Sequence, residues 1–291
     1  MRISILTSFR SFRDGSENTR IQLEFLKAVE HLSISNLIEL VAVQWSEIGV
    51  EEAISNFHID HKVIRLGAEI PFFRYSLSDV LNFGIPKCLG NIIVYSTCDV
   101  RFSEQFLKEI LEKMSTYELV VPFPYHESTL KELNEGRSKE TQSGLDVFVF
   151  QAEILQNWKE KRYFEKFRML GWGMFDHFLV LLSIRDELNL CKLDMGKSMI
   201  KFVNDRTENS ETTDWMKRCH KYNTLVMREF INIKIRYLPI LRLQAVYQVI
   251  DGTRLSFKNI YNYGGLFLIK SQLKFLVSRL FHSRLQLQPK V

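Results

Sequence analysis

The sequence predicts an α/β protein built on a mainly parallel sheet, and three observations carry that reading. Short apolar runs recur along the chain, stretches with helical spacing separate them, and the runs are apolar throughout instead of alternating, as in strands covered on both faces. Residues 3–6 form the first strand, which opens into a polar loop at Thr7 and Ser8. Residues 16–31 follow as a helix, with apolar positions at Ile21, Leu23, Phe25, Leu26, Val29 and Leu32. Residues 37–43 make a second strand, 50–56 a short helix, 61–66 a third strand, 75–81 a helix and 92–95 a fourth strand. A helix at 104–114 and a strand at 119–122 come next. The stretch 125–143 carries Glu127, Lys131, Glu132, Glu135, Arg137, Lys139 and Glu140, and reads as a mobile, solvated loop. Strand character returns at 144–150, a helix begins at 154–158, and residues 171–176 open a long apolar helix that runs through Leu182.

Composition bounds the class. A chain of 291 residues, 46% hydrophobic and 25% charged, is long enough for a substantial core and too apolar for disorder. Neither an internal repeat nor a low-complexity segment appears. The four cysteines, Cys88, Cys98, Cys191 and Cys219, form no CxxC pair and read as reduced, buried thiols. The first apolar run meets Arg10, Arg13 and Asp14 too soon for a signal-peptide core, and no run of 18 uncharged apolar residues occurs, so the expectation is a cytoplasmic chain with no membrane span.

The net charge of +5 is unevenly placed. After Asp251 there is no acid, but Arg254, Lys258, Lys270, Lys274, Arg279, Arg284 and Lys290 follow; the whole-chain +5 less those seven leaves −2 on the first 251 residues. The expected organisation is one α/β domain over 1–250 and a basic amphipathic helical tail over 251–291. Within the tail Leu266, Ile269, Leu273, Leu276, Val277 and Leu280 recur at helical spacing, a pattern suited to an anionic membrane surface. Docking on the chain's own domain or on a second subunit is the competing reading, so an oligomer is open. Nucleic acid is disfavoured because the body is not basic.

In parallel sheets ligands bind outside the carboxyl ends of strands. The apolar run 92–95 ends in Ser96-Thr97-Cys98-Asp99, where Asp99 either caps the helix beginning near Ser103 or meets a divalent cation with a diphosphate. Asp146 enters an aromatic strand, either as a turn residue or as a site acid. In Gly171-Trp172-Gly173-Met174-Phe175-Asp176 two glycines allow backbone to approach a ligand, and a carboxylate in the first helical turn is placed to accept a proton from a hydroxyl.

The order of these segments, together with Phe12, Gln22 and Ala68-Glu69-Ile70-Pro71, resembles the GT-A-like, nucleotide-sugar-dependent glycosyltransferases of bacterial surface-polysaccharide type, over residues 1 to about 205. The resemblance implies a single Rossmann-like sheet flanked by helices. It implies a nucleotide-sugar donor contacted by Thr7, Ser8, Arg10, Thr97, Asp99, Arg101 and Trp172, and an acceptor that is a glycan or lipid-linked. By the same likeness Asp99 is the ligand of Mn2+ or Mg2+, Asp146 lies near the donor sugar or acceptor, and Asp176 is the general base. Two departures stand out. Thr97 occupies the place of the first acid of a D-x-D signature, and Lys201-Phe202-Val203-Asn204-Asp205-Arg206 lacks the late metal-binding histidine, His220 being a poor substitute. Metal dependence is therefore open, and Arg101 is a candidate for supplying positive charge in its stead. The implied setting is surface polysaccharide or lipopolysaccharide assembly, with the tail holding the enzyme on the inner face of the cytoplasmic membrane. A non-catalytic sugar-binding or scaffolding subunit of the same fold is the alternative. A nucleotidyltransferase ranks below both, since no glycine-rich, lysine-bearing loop follows the first strand.

Overall fold

The computed structural model describes residues 1–13, 15–67, 76–123, 126–140, 146–168, 178–180, 182–183 and 186–202, and all structural statements below concern these. The first half alternates strand and helix: β1 (Arg2–Thr7), α1 (Glu17–Ser33), β2 (Leu37–Gln44), α2 (Val50–Ser55), β3 (Asp60–Arg65), α3 (Leu77–Gly84), β4 (Ile92–Ser96), β5 (Val100–Phe102) and α4 (Glu104–Met114). The remainder comprises β6 (Leu119–Phe123), β7 (His126–Ser128), α5 (Leu130–Asn134), β8 (Lys139–Glu140), β9 (Val147–Gln151), α6 (Ala152–Glu160), α7 (Tyr163–Lys166), β10 (Leu190–Asp194) and β11 (Met199–Phe202).

Seven strands form the main sheet in the order β10-β6-β9-β4-β1-β2-β3. All neighbours run parallel except β9, which is antiparallel to β4 and to β6. Side chains alternate across each strand and feed two cores. Leu6, Val41, Ile93, Val121 and Phe148 pack on one face with Trp158 of α6 and Phe164 of α7. Ile5, Leu40, Val94, Val120 and Val149 pack on the other with Phe25 of α1, Ile54 of α2 and Phe106 of α4. Coverage of both faces explains why the central strands β4, β6 and β9 are nearly unbroken apolar runs. The predicted mainly parallel α/β fold is the observed one.

Local chemistry sets the helix ends. Ser16 caps α1 by accepting from Thr19 N–H, and Ser103 caps α4 by accepting from Phe106 N–H. Because Ser103 fills that role, Asp99 is not the cap of α4. Two expectations need correction. The stretch read as a mobile loop over 125–143 instead carries β7, α5 and β8, because Thr129-Leu130-Lys131-Glu132 forms a reciprocal capping box that starts a helix. Leu23 is only partly buried, and Gln22 takes its place on the inward face of α1.

The strands β7 and β8 join β5 and β11 in a second, four-stranded sheet of order β5-β11-β7-β8. This small sheet adjoins the carboxyl edge of the main one, since Phe202 N–H donates to Asp99 C=O at 2.8 Å. Near the same edge Arg168 holds Asp79 through two contacts of 3.1 and 2.5 Å, tying the first turn of α3 to the chain beyond α7. The amino edge is fastened differently. Glu39, fully buried in β2, accepts from Ser4 Oγ at 2.5 Å, Lys62 Nζ at 2.9 Å, Arg2 Nη2 at 3.2 Å and the Leu89 N–H. Burial alone would raise its pKa, but the Ser4 hydroxyl, the Leu89 amide and the Lys62 ammonium outweigh burial and leave it below its ordinary value.

Candidate active site at the carboxyl edge

After β1 the chain winds toward β2 and β3 on one side, whereas β4 lies on the other side of β1. The direction of winding reverses between β1 and β4, and a crevice opens at such a point because the connections leave in opposite directions. A cavity of about 80 Å³ sits there. Its walls are Arg10 beyond β1, Asn18, Ile21 and Gln22 of α1, Thr97, Cys98 and Asp99 beyond β4, and Asp146 before β9. The side-chain amide of Gln22 organises the loop after β1, accepting from Arg10 N–H at 2.6 Å and donating to Arg10 C=O at 3.3 Å. Arg10 Nη1 in turn donates to Asn18 Oδ1 at 3.3 Å.

The carboxyl edge around this cavity leaves polar atoms unsatisfied, two of them in the cavity wall. Among the described residues four buried side-chain oxygens have no hydrogen-bond partner: Thr97 Oγ1, Asp99 Oδ1, Gln44 Oε1 and Glu47 Oε1. All four lie just past or at the carboxyl end of a strand, β4 for the first two and β2 for the others. An acceptor left without a donor costs about 1–3 kcal/mol, so such groups concentrate where a ligand supplies what the fold does not. By contrast Cys98, between Thr97 and Asp99, is chemically quiet. Burial pushes its thiol up to about 12, the Asp99 charge adds to this, and Arg10 offsets only part. It also donates to Gln22 Oε1 at 3.4 Å. Cys88, likewise raised by burial to about 12, is buried, Cys191 is half-buried, and Cys219 lies outside the described residues.

The structure therefore brings together Arg10, Thr97, Asp99 and Asp146. Thr7 and Ser8 are buried at the end of β1, where Thr7 Oγ1 makes a long contact of 3.5 Å to Ser8 C=O, and neither lines the cavity. Arg101 does not join the group. It is exposed in the middle of β5, where it lines a separate groove of about 420 Å³ with Lys27, His31 and Lys197. Asp99 lies in the turn before β5, whereas Arg101 is inside that strand between the buried Val100 and Phe102, so its side chain emerges on the other face, toward the groove. Trp172 and Asp176, with Gly171 and Gly173, lie outside the described residues, as do Ala68-Glu69-Ile70-Pro71, Asn204, Asp205, His220 and the tail.

Lys201 was not among the predicted site residues. Its Nζ lies 2.7 Å from Asp146 Oδ2, with both side chains largely buried. Asp146 is thus more than a turn residue: its C=O accepts from Thr97 N–H at 3.1 Å while its carboxylate holds Lys201. Gln44 and Glu47 also escaped the sequence reading, although they carry the same signal as Thr97 and Asp99, polar side chains directly after an apolar strand. No group of three or more His, Cys, Asp or Glu side chains placed to hold a metal ion occurs among the described residues.

No family model matches the chain, and no curated protein does. Among solved structures, glucosyl-3-phosphoglycerate synthase from Mycobacterium tuberculosis, in complex with Mn2+, UDP and phosphoglyceric acid, is 14% identical over 77% of each chain with a TM-score of 0.49. The same enzyme with Mn2+, UDP-glucose and glycerol 3-phosphate is 15% identical over 78% of each chain, again at 0.49. The 4-diphosphocytidyl-2C-methyl-D-erythritol synthase from Anaerococcus prevotii is 10% identical, covering 76% of this chain and 97% of its own, with a TM-score of 0.45. Likeness of this degree does not bear on the reaction.

Proposed function

We propose that the chain is a glycosyltransferase that moves a sugar from a nucleotide-sugar donor to a hydroxyl of a glycan or lipid-linked acceptor, in assembly of a surface polysaccharide or glycolipid. The observation that carries this reading is the pair of unpartnered oxygens, Thr97 Oγ1 and Asp99 Oδ1, buried where the winding of the sheet reverses. Nucleotide sugars bring what those oxygens lack, namely hydroxyl donors and a diphosphate that travels with a divalent cation. The cavity, about 80 Å³, suits the diphosphate end of such a donor and not the whole of it.

Asp99 fits a hard cation in the usual manner of Mg2+, held by one or two carboxylates with phosphate oxygens and water in the other positions. In that place Mg2+ or Mn2+ would neutralise charge building on the departing diphosphate. Arg10 adds a fixed positive charge to the same wall, and Thr97 offers a hydroxyl that both donates and accepts. The Asp146 carboxylate, committed to Lys201, is suited to hold a sugar hydroxyl. The general base is then Asp176 and Trp172 a donor contact, both as the family likeness implies.

The test is transfer and hydrolysis from a panel of sugar nucleotides with and without Mn2+ or Mg2+. Asp99→Ala and Asp176→Ala are each expected to lower turnover by about 100-fold or more. No binding of any sugar nucleotide would overturn the reading, and binding without turnover would favour a sugar-binding or scaffolding subunit. The apolar stripe and seven positive charges of the tail support a peripheral position on the inner face of the cytoplasmic membrane. No described helix is long and apolar enough to cross a membrane. Truncation before residue 266 is expected to release the protein from sedimented membranes; unchanged sedimentation and unchanged activity on a lipid-linked acceptor would remove the membrane role.

A further inference from the structure

The groove that Arg101 lines, about 420 Å³, lies between α1 and the rim of the small sheet. Its two walls treat charge differently. On α1 Lys27 is held by Glu24 at 2.7 Å, and His31 faces Glu104, in the first turn of α4, at 3.5 Å. On the rim Arg101 and Lys197 are exposed, and among the described residues neither has a hydrogen bond or an ion pair. Hydrogen-bonded elements carry both of them. In the antiparallel pairing of β5 with β11, Arg101 stands opposite Ile200 and Phe102 opposite Met199, and Ser103 N–H donates to Ser198 C=O at 3.0 Å. Lys197 sits in the tight turn Gly196–Ser198 before β11, where Gly196 takes a φ of 53°, a left-handed conformation that glycine adopts without strain.

Two cations left unpaired on a concave surface fit an anionic ligand. Over the whole lining Lys27, Arg101 and Lys197 face Glu24 and Glu104, an excess of one positive charge to which a protonated His31 adds. The planar fork of Arg101 can donate two parallel hydrogen bonds to a carboxylate or a phosphate, and Lys197 adds a point charge. The other lining residues narrow the ligand. None of the large apolar side chains exposed among the described residues, Met1, Ile34, Leu37, Ile48, Phe83 and Leu89, lines the groove. It therefore lacks the apolar wedge of a membrane-binding face and the exposed anchors of a protein interface. Two unpaired cations among acids are also too few for nucleic acid. Position supplies the rest. Asn18 and Gln22 of α1 line the cleft and Lys27 and His31 the groove; in the segment after β4, Asp99 lines the cleft and Arg101 the groove. We propose that the groove binds carboxylate- or phosphate-bearing units of an acidic glycan acceptor, with Arg101 and Lys197 as its anion contacts. The acceptor role rests on the glycosyltransferase reading, and the preference for an acidic glycan rests on the groove.

The experiment is calorimetric titration of the full chain with an oligogalacturonate, a phosphorylated oligomannoside and the uncharged counterpart of each. UDP, GDP, CDP and dTDP with Mg2+ are titrated in parallel, and phosphatidylserine vesicles are tested by sedimentation. Wild type is expected to bind at least one acidic oligosaccharide and neither uncharged one. Arg101→Gln/Lys197→Gln should weaken that binding about tenfold, the sum of two exposed ion pairs, and Arg101→Lys/Lys197→Arg should keep most of it. Lys159→Gln, a cation of α6 on the other face of the main sheet, is the control and should change nothing. An unaltered melting temperature shows that the double glutamine variant is folded, and its nucleoside diphosphate affinity should equal that of wild type. Absence of binding to both acidic oligosaccharides, equal binding of the uncharged ones, or unchanged affinity in the double glutamine variant overturns the proposal. Loss of diphosphate affinity in that variant would return Arg101 to the donor site and overturn it too. Vesicle binding lost in the same variant, with neither acidic oligosaccharide bound, would make the groove a lipid contact instead. Wild type that binds an acidic oligosaccharide through Arg101 and Lys197 but no nucleoside diphosphate would overturn the glycosyltransferase reading and leave the groove as a sugar-binding site; the reverse pattern overturns the groove alone.

Discussion

The two ends of the main sheet treat buried oxygen atoms in opposite ways. At the amino end Glu39 is surrounded by the Ser4 hydroxyl, the Leu89 amide, Lys62 and Arg2. At the carboxyl end Thr97 and Asp99, just beyond β4 of the same sheet, each keep a buried oxygen without a donor. A fold that satisfies a carboxylate at one edge has the means to do so at the other, and the contrast separates the edge that holds the protein together from the edge proposed to take a ligand. Polar satisfaction, more than cavity size, is what singles out the proposed site. The hollow beside the amino end, about 490 Å³ and lined by Leu89, Gly90 and Asn91, is larger than the cleft at β4 yet carries none of the orphaned oxygens.

Substitutions can break this comparison from either side. The largest effect is expected from Glu39→Ala, which removes the acceptor of Ser4 Oγ and Leu89 N–H and one partner each of Arg2 and Lys62, which keep Asp60 and the Lys87 C=O. Breaking a buried ion pair costs about 3–5 kcal/mol, and about a third of the Arg2 and Lys62 side chains stays in water, so the low end, about 3 kcal/mol, is expected from urea denaturation. Gly90→Ala should cost about 1–3 kcal/mol by the same measurement. An added Cβ would stand 2.5 Å from Ser4 N and 2.7 Å from Ser4 Oγ, in backbone that cannot yield. Thr97→Val at the other edge should move stability the opposite way, up by about 1 kcal/mol, because it deletes a buried hydroxyl without a partner, while weakening nucleotide binding.

The smallest effect is the acid limb of stability. The native pKa of Glu39 lies below its ordinary value of 4.5, so the unfolded chain binds its proton first as pH falls. The stability from this group is present above pH 4.5 and is lost as pH drops through the native value. Glu39→Gln should flatten that limb in denaturation curves collected below pH 5, and an unchanged slope would remove Glu39 as its source.

Much of the architecture was legible because burial on both faces writes itself as unbroken apolar runs, and α4 was placed at its observed limits because its start carries Ser103. The reversal of β9 was not legible. Val147 to Phe150 are covered on both sides whichever way the strand points, so their composition is silent on direction. The small sheet escaped because β7, β8 and β5 are two or three residues long, below the length at which periodicity speaks. At the site, Asp99 and Thr97 were visible as polar residues ending an apolar strand. Arg101 was misplaced because the short strand after Asp99 turns its side chain away, and Lys201 was missed because its partner Asp146 lies 55 residues earlier.

The central claim, that the carboxyl edge keeps its polar groups unsatisfied for a nucleotide-bearing ligand, is tested most directly by measuring Asp99→Ala twice, for nucleoside diphosphate affinity with Mg2+ and for thermal stability. The account predicts loss of binding with a melting temperature equal to or above that of wild type. Retained binding with a lowered melting temperature would make Asp99 a structural residue and contradict it.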